Sequence, residues 1–234
     1  MKSLLSWLVL GLGVALGAGV QAGDASTSAD DPPEYRPPPR SAPDAERLSG
    51  GGSRSADRPA VELSVLAPQW SGRSASAQPT LCWYQSAAAE VPLELTVTES
   101  DAVRPLLSKR LPALAGVQCF SLSSAGIKLH AGSVYDWSVA LVLDEDRRSA
   151  DVLSQANFVV QAPARGEQAV LRTSEPAARV RAYAQAGYWY DALGEIERML
   201  AAHPTDPLPR RLRAALSEQV GLNAAAAVDL DAVR

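Results

Sequence analysis

The stretch VYDWSVALVL, residues 134–143, decides the fold class. Tyr135, Trp137, Val139 and Leu141 occupy every second position, so an extended chain places all four on one face. Shorter alternating runs lie between Pro, Gly and Ser turns at residues 61–66, 80–84, 93–97, 117–122 and 157–161. Roughly six short strands in about 100 residues predict an all-β, antiparallel sandwich of the immunoglobulin type over residues 61–163.

Two cysteines, Cys82 and Cys119, fall in two of these predicted strands. The period of two separates Cys82 from Trp83, and Cys119 from Phe120, so both thiols lie opposite the aromatic faces. The second and fifth strands of a Greek-key sandwich are antiparallel neighbours, and we therefore predict a Cys82–Cys119 disulfide across the outer face. Closing a loop of about 38 residues stabilises the fold by roughly 3–4 kcal/mol. Free or metal-binding thiols are the alternative, which no neighbouring His or Cys supports.

Residues 174–234 change to a helical period. Ser174 can cap a first helix that ends at Gly187, and a second helix follows over residues 188–202. Asp206 can cap a third helix that ends at Gly221. Asn223 can cap a fourth, so the sequence predicts two helical hairpins.

The two predicted hairpins repeat. Aligning Gly187 with Gly221 gives an offset of 34 residues, the length of a tetratricopeptide repeat. Two such repeats bury too little apolar surface to be stable alone. We therefore expect the helices to pack on the β domain, chiefly through Trp189 or Tyr190.

The chain opens with the features of a secretory signal peptide at residues 1–22. Lys2 supplies a positive charge, residues 4–20 carry none, and Val20-Gln21-Ala22 offers small residues for cleavage after Ala22. An uncleaved anchor is the alternative, although the uncharged run barely reaches the ~20 apolar residues of a membrane span. We expect a periplasmic or secreted chain with no stable membrane span after cleavage.

Residues 23–60 are rich in Pro, Ser, Ala and Asp, and this composition predicts a disordered linker. The segment PPEYRPPP at residues 32–39 favours a polyproline-like conformation, and SGGGS at 49–53 a flexible joint. We interpret the segment as a spacer, with a Pro-rich ligand for a partner domain as the alternative.

The charge balance and the motif content exclude several functions. The net charge is −4, and removal of Lys2 with the signal makes it about −5, which argues against nucleic-acid binding. No nucleophile elbow, zinc-protease helix or phosphate loop is present, so we expect no catalytic residue, no cofactor and no metal. His130 and His203 are interpreted as structural residues. Residues 144–146 with Asp151 are interpreted as a solvated acidic loop rather than a calcium site.

Two groups of side chains are candidates for binding. Tyr188, Trp189 and Tyr190 follow Tyr183 in the first hairpin; core packing is the favoured interpretation and a peptide groove the functional one. The basic edge of the third helix is interpreted as a solvated face or a contact to an acidic partner. It consists of Arg210, Arg211 and Arg213.

A string of short motifs carries a family resemblance: Leu66-Ala67-Pro68, then residues 79–84 (PTLCWY), 135–138 (YDWS), 148–151 (RSAD) and 187–193 (GYWYDAL). Over about residues 50–222 the chain resembles the domain of unknown function 928 family, which consists of exported bacterial proteins. The cysteines depart from the family pattern, so the resemblance implies no disulfide. It also brings no catalytic residue.

Together these observations favour an exported, non-enzymatic binding or scaffold module with a protein partner. One alternative is an envelope enzyme acting on cell-wall glycan through paired carboxylates such as Asp136, Asp144 or Asp151. Another is an accessory or sensor subunit of a membrane signalling system.

Overall fold

The computed structural model describes residues 31–38, 61–173 and 175–234. The predicted signal peptide at residues 1–22, its cleavage site, the joint at 49–53 and Ser174 lie outside the described residues. Within these described ranges, eight strands precede five α-helices, so a sheet-rich region followed by helices is confirmed. The strands are β1 Leu63–Val65, β2 Gly72–Ser74, β3 Thr80–Gln85, β4 Ala89–Glu99, β5 Leu107–Ala113, β6 Gly116–Ser121, β7 Val134–Leu141 and β8 Val152–Val160. The helices are α1 Arg165–Leu171, α2 Pro176–Gln185, α3 Trp189–Ala202, α4 Pro207–Gln219 and α5 Asn223–Asp231.

The strands form two sheets. One has the order β1-β3-β6 and is antiparallel, and the other has the order β2-β8-β7-β4-β5. The larger sheet is mixed, because β2 runs parallel to β8, whereas the sequence predicted an entirely antiparallel arrangement. Trp137 at the centre of β7 pairs with Val97 on β4 and Ala156 on β8, and all three are buried. The strand predicted over residues 134–143 is therefore the centre of the larger sheet.

Two strands were missed by the sequence pattern. β2 has only three residues, Gly-Arg-Ser, and carries no apolar alternation. β5 is the edge strand of the larger sheet and exposes Lys109 and Arg110. Charged side chains on an edge strand protect it from pairing with another chain, and they also hide the strand from a hydrophobic pattern.

The disulfide is confirmed and its environment is corrected. Cys82 and Cys119 occupy directly opposite positions on β3 and β6, and their Cα atoms lie 4.0 Å apart. The sequence predicted that the cysteines lie on an outer face of the sheet, but this face is covered. Helix α3 covers it, with the Glu197 carboxylate within 4.8 Å of the sulfurs, and Cys82 is completely buried.

Helices α2–α3 and α4–α5 form two packed pairs, and their second helices begin 34 residues apart, at Trp189 and Asn223. The turn in each pair uses a left-handed glycine, Gly187 at φ 79° and Gly221 at φ 76°. The predicted cap of α4 is confirmed, since the Asp206 side chain accepts from the Leu208 N–H at 2.9 Å. At α2, Glu175 performs the capping. The predicted cap of α5 is wrong, because Asn223 is already the first helical residue.

The same ion pair recurs in the two helix pairs. Arg179 Nε donates to the Glu195 carboxylate at 2.8 Å, and Arg213 Nε donates to the Asp229 carboxylate at 2.7 Å. Both residues of the second pair lie 34 positions after those of the first. The offset identified from the glycines therefore extends to the polar contacts between the helices.

One hydrophobic core includes buried residues of both sheets and of helices α2 to α5. Within the described part of the chain, we find no helix that combines the length and the apolar character needed to cross a membrane.

Candidate functional site

The first turn of α3 attaches the helices to the strands. Trp189 is completely buried, and its indole N–H donates to the backbone carbonyl of Leu66 at 2.8 Å. Leu66 follows β1, so a residue from the start of the β region is bonded to the middle of the helical region. The expectation that Trp189 docks the helices on the β domain agrees with this contact.

Tyr190 enters the core beside β2. Its hydroxyl accepts a hydrogen bond from the Trp137 indole N–H at 2.9 Å, and its ring lies 4.8 Å from the ring of Phe158. A Cβ atom added at Gly72 would lie 2.6 Å from the Tyr190 ring. Only a glycine at position 72 therefore allows β2 to approach the Tyr190 ring this closely.

Asp191 holds the turn that follows β2. Its carboxylate accepts the backbone N–H groups of Ala75 at 2.7 Å and Ser76 at 3.1 Å. Burial raises the pKa of this carboxyl from 3.8 to about 6, although these hydrogen bonds act in the opposite direction. Three successive residues of α3 thus each contact the β region.

Tyr188, immediately before α3, is buried against α1 and β2. Its hydroxyl donates to the Glu167 carboxylate at 3.0 Å, and the Arg73 guanidinium lies 4.4 Å from the centre of its ring. Burial, followed by the hydrogen bond to Glu167, raises the pKa of Tyr188 to about 12. The three predicted binding residues Tyr188, Trp189 and Tyr190 are all buried, so none of them presents a ring to solvent.

The Pro-rich segment is the feature that the sequence interpretation missed. Residues 31–38, which we call the arm, belong to the predicted disordered linker, but they pack against the helices. Residues 32–38 form no helix, strand or turn, and the four prolines among them favour an extended backbone. Four hydrogen bonds hold the backbone of the arm. They are Arg181 Nε to Asp31 O at 2.8 Å, Gln219 Nε2 to Pro33 O at 2.7 Å, Tyr35 N to Gln219 Oε1 at 2.8 Å, and Arg36 N to Ala184 O at 3.1 Å.

One aromatic side chain anchors the arm. The Tyr35 ring packs edge-on against Trp189, with 4.9 Å between the ring centroids, while Pro33 is buried nearby. The Tyr35 hydroxyl is buried and finds no hydrogen-bond partner among the described residues. Its burial raises the pKa of Tyr35 well above the ordinary value.

The turn between α2 and α3 is shaped to admit the arm. A Cβ atom at Gly187 would lie 2.8 Å from the carbonyl oxygen of Arg36 and 3.3 Å from Pro38. At Gly221, the equivalent position of the second helix pair, the same atom would meet nothing within 4 Å. We call the surface formed by Arg181, Ala184, Gly187, Trp189 and Gln219 the arm groove.

The three arginines of the predicted basic edge lie in three different environments. Arg213 is buried between the carboxylates of Asp229 and Glu197, with both of which it forms hydrogen bonds. Burial disfavours its charge, but these two carboxylates outweigh that effect and raise the pKa of Arg213. Arg210 lies 3.5 Å from Asp229, and Arg211 is exposed. Arg213 is therefore an internal pairing residue and is not available to an acidic partner.

The carboxylates considered for glycan hydrolysis are already engaged in local contacts. Asp151 accepts from Leu143 N and from Arg148 Nε, and Asp136 accepts from Ser100 Oγ. The β7–β8 register places Asp136 five residues along the strand from the end near Asp151, a separation of roughly 16 Å. The paired carboxylates of glycosidases lie ~5–9.5 Å apart, so these two do not form such a pair.

The disulfide contributes to a group of potential metal ligands. The sulfurs of Cys82 and Cys119 and the Glu197 carboxylate lie within 4.8 Å of one another. Both sulfurs are joined in the disulfide, and a metal needs the thiolate form. The oxidised chain therefore offers no thiolate here.

The fold and the site define a sheet-rich protein with appended helices that hold an extended segment. The chain belongs to the family described as Domain of Unknown Function (DUF928), whose profile matches residues 49–230 and confirms the resemblance. A comparison with curated proteins returns no match. Among solved structures, a multi-domain immunophilin from Arabidopsis thaliana matches at 10% identity and a TM-score of 0.18, over 85% of this chain and 99% of that one. A TM-score this low supports no inference about fold or function.

Proposed function

We propose that this protein is an exported, non-enzymatic binding or scaffold module of the bacterial envelope. In this proposal an immunoglobulin-like sandwich carries tetratricopeptide-like helices, and the helices make the contacts to a protein partner.

The strand order supports the immunoglobulin-like assignment. If β1, β3 and β6 are strands A, B and E, then β4, β5, β7 and β8 correspond to C, C′, F and G. An immunoglobulin sandwich divides its strands in the same way, with A, B and E in one sheet and C, F and G in the other. Two departures are that the described residues place no strand D in the smaller sheet and that the disulfide joins B to E.

The arm groove is the observation that carries the binding proposal. Its helices hold an extended segment through backbone hydrogen bonds and one aromatic contact between Tyr35 and Trp189. Peptide-recognition domains combine the same two kinds of contact: main-chain hydrogen bonds supply affinity, and side-chain pockets supply specificity. The offset of 34 residues between the two helix pairs supports the tetratricopeptide-like assignment.

Export is supported by residues 1–22 and by the disulfide, because disulfides persist in oxidising compartments. Intact-mass measurement of the envelope fraction tests it, with an expected mature chain that begins at Gly23. Recovery of the full-length mass with Met1 retained would indicate a membrane anchor instead.

The binding role is tested by using the purified mature chain as bait in envelope extract, with chemical cross-linking to record direct contacts. We expect a specific cross-link between one envelope protein and the helical region. A parallel assay adds the purified chain to isolated cell-wall glycan. Release of soluble glycan would contradict the non-enzymatic role and favour the envelope enzyme.

A further inference from the structure

The arm groove recognises features that any extended Pro-rich peptide shares. The hydrogen bonds to the arm at Asp31, Pro33, Tyr35 and Arg36 involve its backbone. The arm side chains that are removed from solvent are chiefly Pro33 and Tyr35, whereas Glu34 and Arg36 are exposed and pair with each other. The groove therefore requires an extended conformation, a proline and an aromatic ring, whereas the exposed positions 34 and 36 can vary.

The arm itself is an imperfect occupant of this groove. The Tyr35 hydroxyl is buried without a hydrogen-bond partner among the described residues, and an unpaired buried hydroxyl weakens attachment. Residues 39–60, which connect the arm to β1, have the composition of a flexible chain and contain the SGGGS joint. This composition would allow the arm to leave the groove while it remains joined to β1.

We propose that the arm groove binds an extended Pro-rich peptide carrying an aromatic residue from a partner protein, and that the arm is a tethered competitor for the same groove. This inference rests on the proposed binding function and names the chemical class of the partner. A tether with the length and composition of residues 39–60 gives the arm an effective concentration on the order of millimolar. An untethered peptide competes only when it fits better or when the arm is weakened.

The experiment uses the full mature chain and a fluorescein-labelled peptide with the sequence of residues 31–38, DPPEYRPP. Fluorescence anisotropy measures its binding to the wild type and to Tyr35→Ala. We expect Tyr35→Ala to bind the peptide roughly tenfold more tightly than the wild type, because the internal competitor has lost its anchor. A peptide with Ala in place of its Tyr should bind neither protein.

Two glycine variants locate the binding site. In the Tyr35→Ala background, Gly187→Ala should abolish binding, because the added Cβ would lie only 2.8 Å from the position that the Arg36 carbonyl oxygen takes in the groove. Gly221→Ala is the matched control, since it imposes the same left-handed strain at the equivalent turn without meeting any atom. It should retain binding, and circular dichroism of both variants checks that each is folded.

Failure of this inference can be distinguished from failure of the proposed function. Absence of peptide binding to Tyr35→Ala, or binding that survives Gly187→Ala, would overturn the inference. An envelope partner captured equally well by Gly187→Ala would then leave the proposed function standing. Concentration-dependent dimerisation of the wild type that Gly187→Ala abolishes would identify the arm of a second copy as the occupant and contradict the internal competitor.

Discussion

The indole Nε1 of Trp189 donates a hydrogen bond to the carbonyl oxygen of Leu66 at 2.8 Å, and both residues are completely buried. The Tyr35 ring covers Trp189 from the arm at 4.9 Å. A single side chain therefore contacts the strand region, the helices and the N-terminal arm. Removing it should affect all three together.

Trp189→Ala should lower the free energy of unfolding by roughly 3–5 kcal/mol, because it opens a large cavity and leaves the Leu66 carbonyl unpaired. Far-UV circular dichroism follows the helices and tryptophan fluorescence follows the strands. We expect the two transitions to coincide and to shift equally. Asn223→Ala is the control, because Asn223 is the position equivalent to Trp189 in the second helix pair but is exposed. It should change the free energy of unfolding by only about 0.5 kcal/mol. Separate transitions, with only the helical one shifted, would show that the helices fold independently.

The Cys82–Cys119 disulfide should be complete in the exported protein. Alkylation without reduction, followed by mass spectrometry, should detect no modified cysteine. The double variant Cys82→Ala, Cys119→Ala should unfold with a free energy lower by roughly 3–4 kcal/mol, because the loop of about 38 residues is no longer closed in the unfolded chain. Quantitative alkylation of both cysteines in the native exported chain would contradict the disulfide.

The repeated ion pair predicts unequal effects in the two helix pairs. Arg213→Met leaves the Asp229 carboxylate, whose side chain is 1% exposed, with the longer contact to Arg210 at 3.5 Å, and it also removes a partner of Glu197, so it should destabilise by roughly 3–5 kcal/mol. Arg179→Met, the matched variant in the first pair, should have a smaller effect because Glu195 keeps its contact with Arg198 at 2.9 Å. Chemical denaturation measures both. Equal losses would argue against this account of the two pairs.

Protonation of the Asp191 carboxyl should make the folded state more stable at acidic pH. Its pKa is about 6 in the folded chain against an ordinary 3.8, so the folded state binds the proton more tightly. The contribution is fully present below pH 3.8 and is lost as the pH rises through about 6, with a total of about 2–3 kcal/mol. Asp191→Asn cannot titrate at this position. Its stability deficit relative to the wild type should therefore shrink between pH 4 and pH 7, and a constant deficit would show that Asp191 does not titrate in this range.

Hydrophobic periodicity predicted a strand correctly where one face of that strand is buried. The alternation of Tyr135, Trp137, Val139 and Leu141 predicted the central strand β7, because one face of that strand is packed into the core. The faces assigned to the cysteines were also compatible with the disulfide. The missed edge strand β5 exposes its charged residues, so no apolar pattern marks it.

The arm groove could not be predicted from the sequence, because no local pattern encodes it. The composition of residues 23–60 predicts disorder, and only the tertiary placement of Trp189 gives Tyr35 a surface to pack on. Arg179 and Glu195 are 16 residues apart, and so are Arg213 and Asp229. The 34-residue offset relates these pairs, but their contact is recognised only when the packing of the two helices is known.

Hydrogen exchange of the arm amides tests the central claim most directly. The Tyr35 and Arg36 N–H groups donate to Gln219 Oε1 and Ala184 O in the groove. Mass-spectrometric exchange should show residues 31–38 protected at least about tenfold relative to an unstructured peptide. The protection should disappear in Gly187→Ala and persist in Gly221→Ala. Arm amides that exchange in the wild type as fast as in the free peptide would contradict the account.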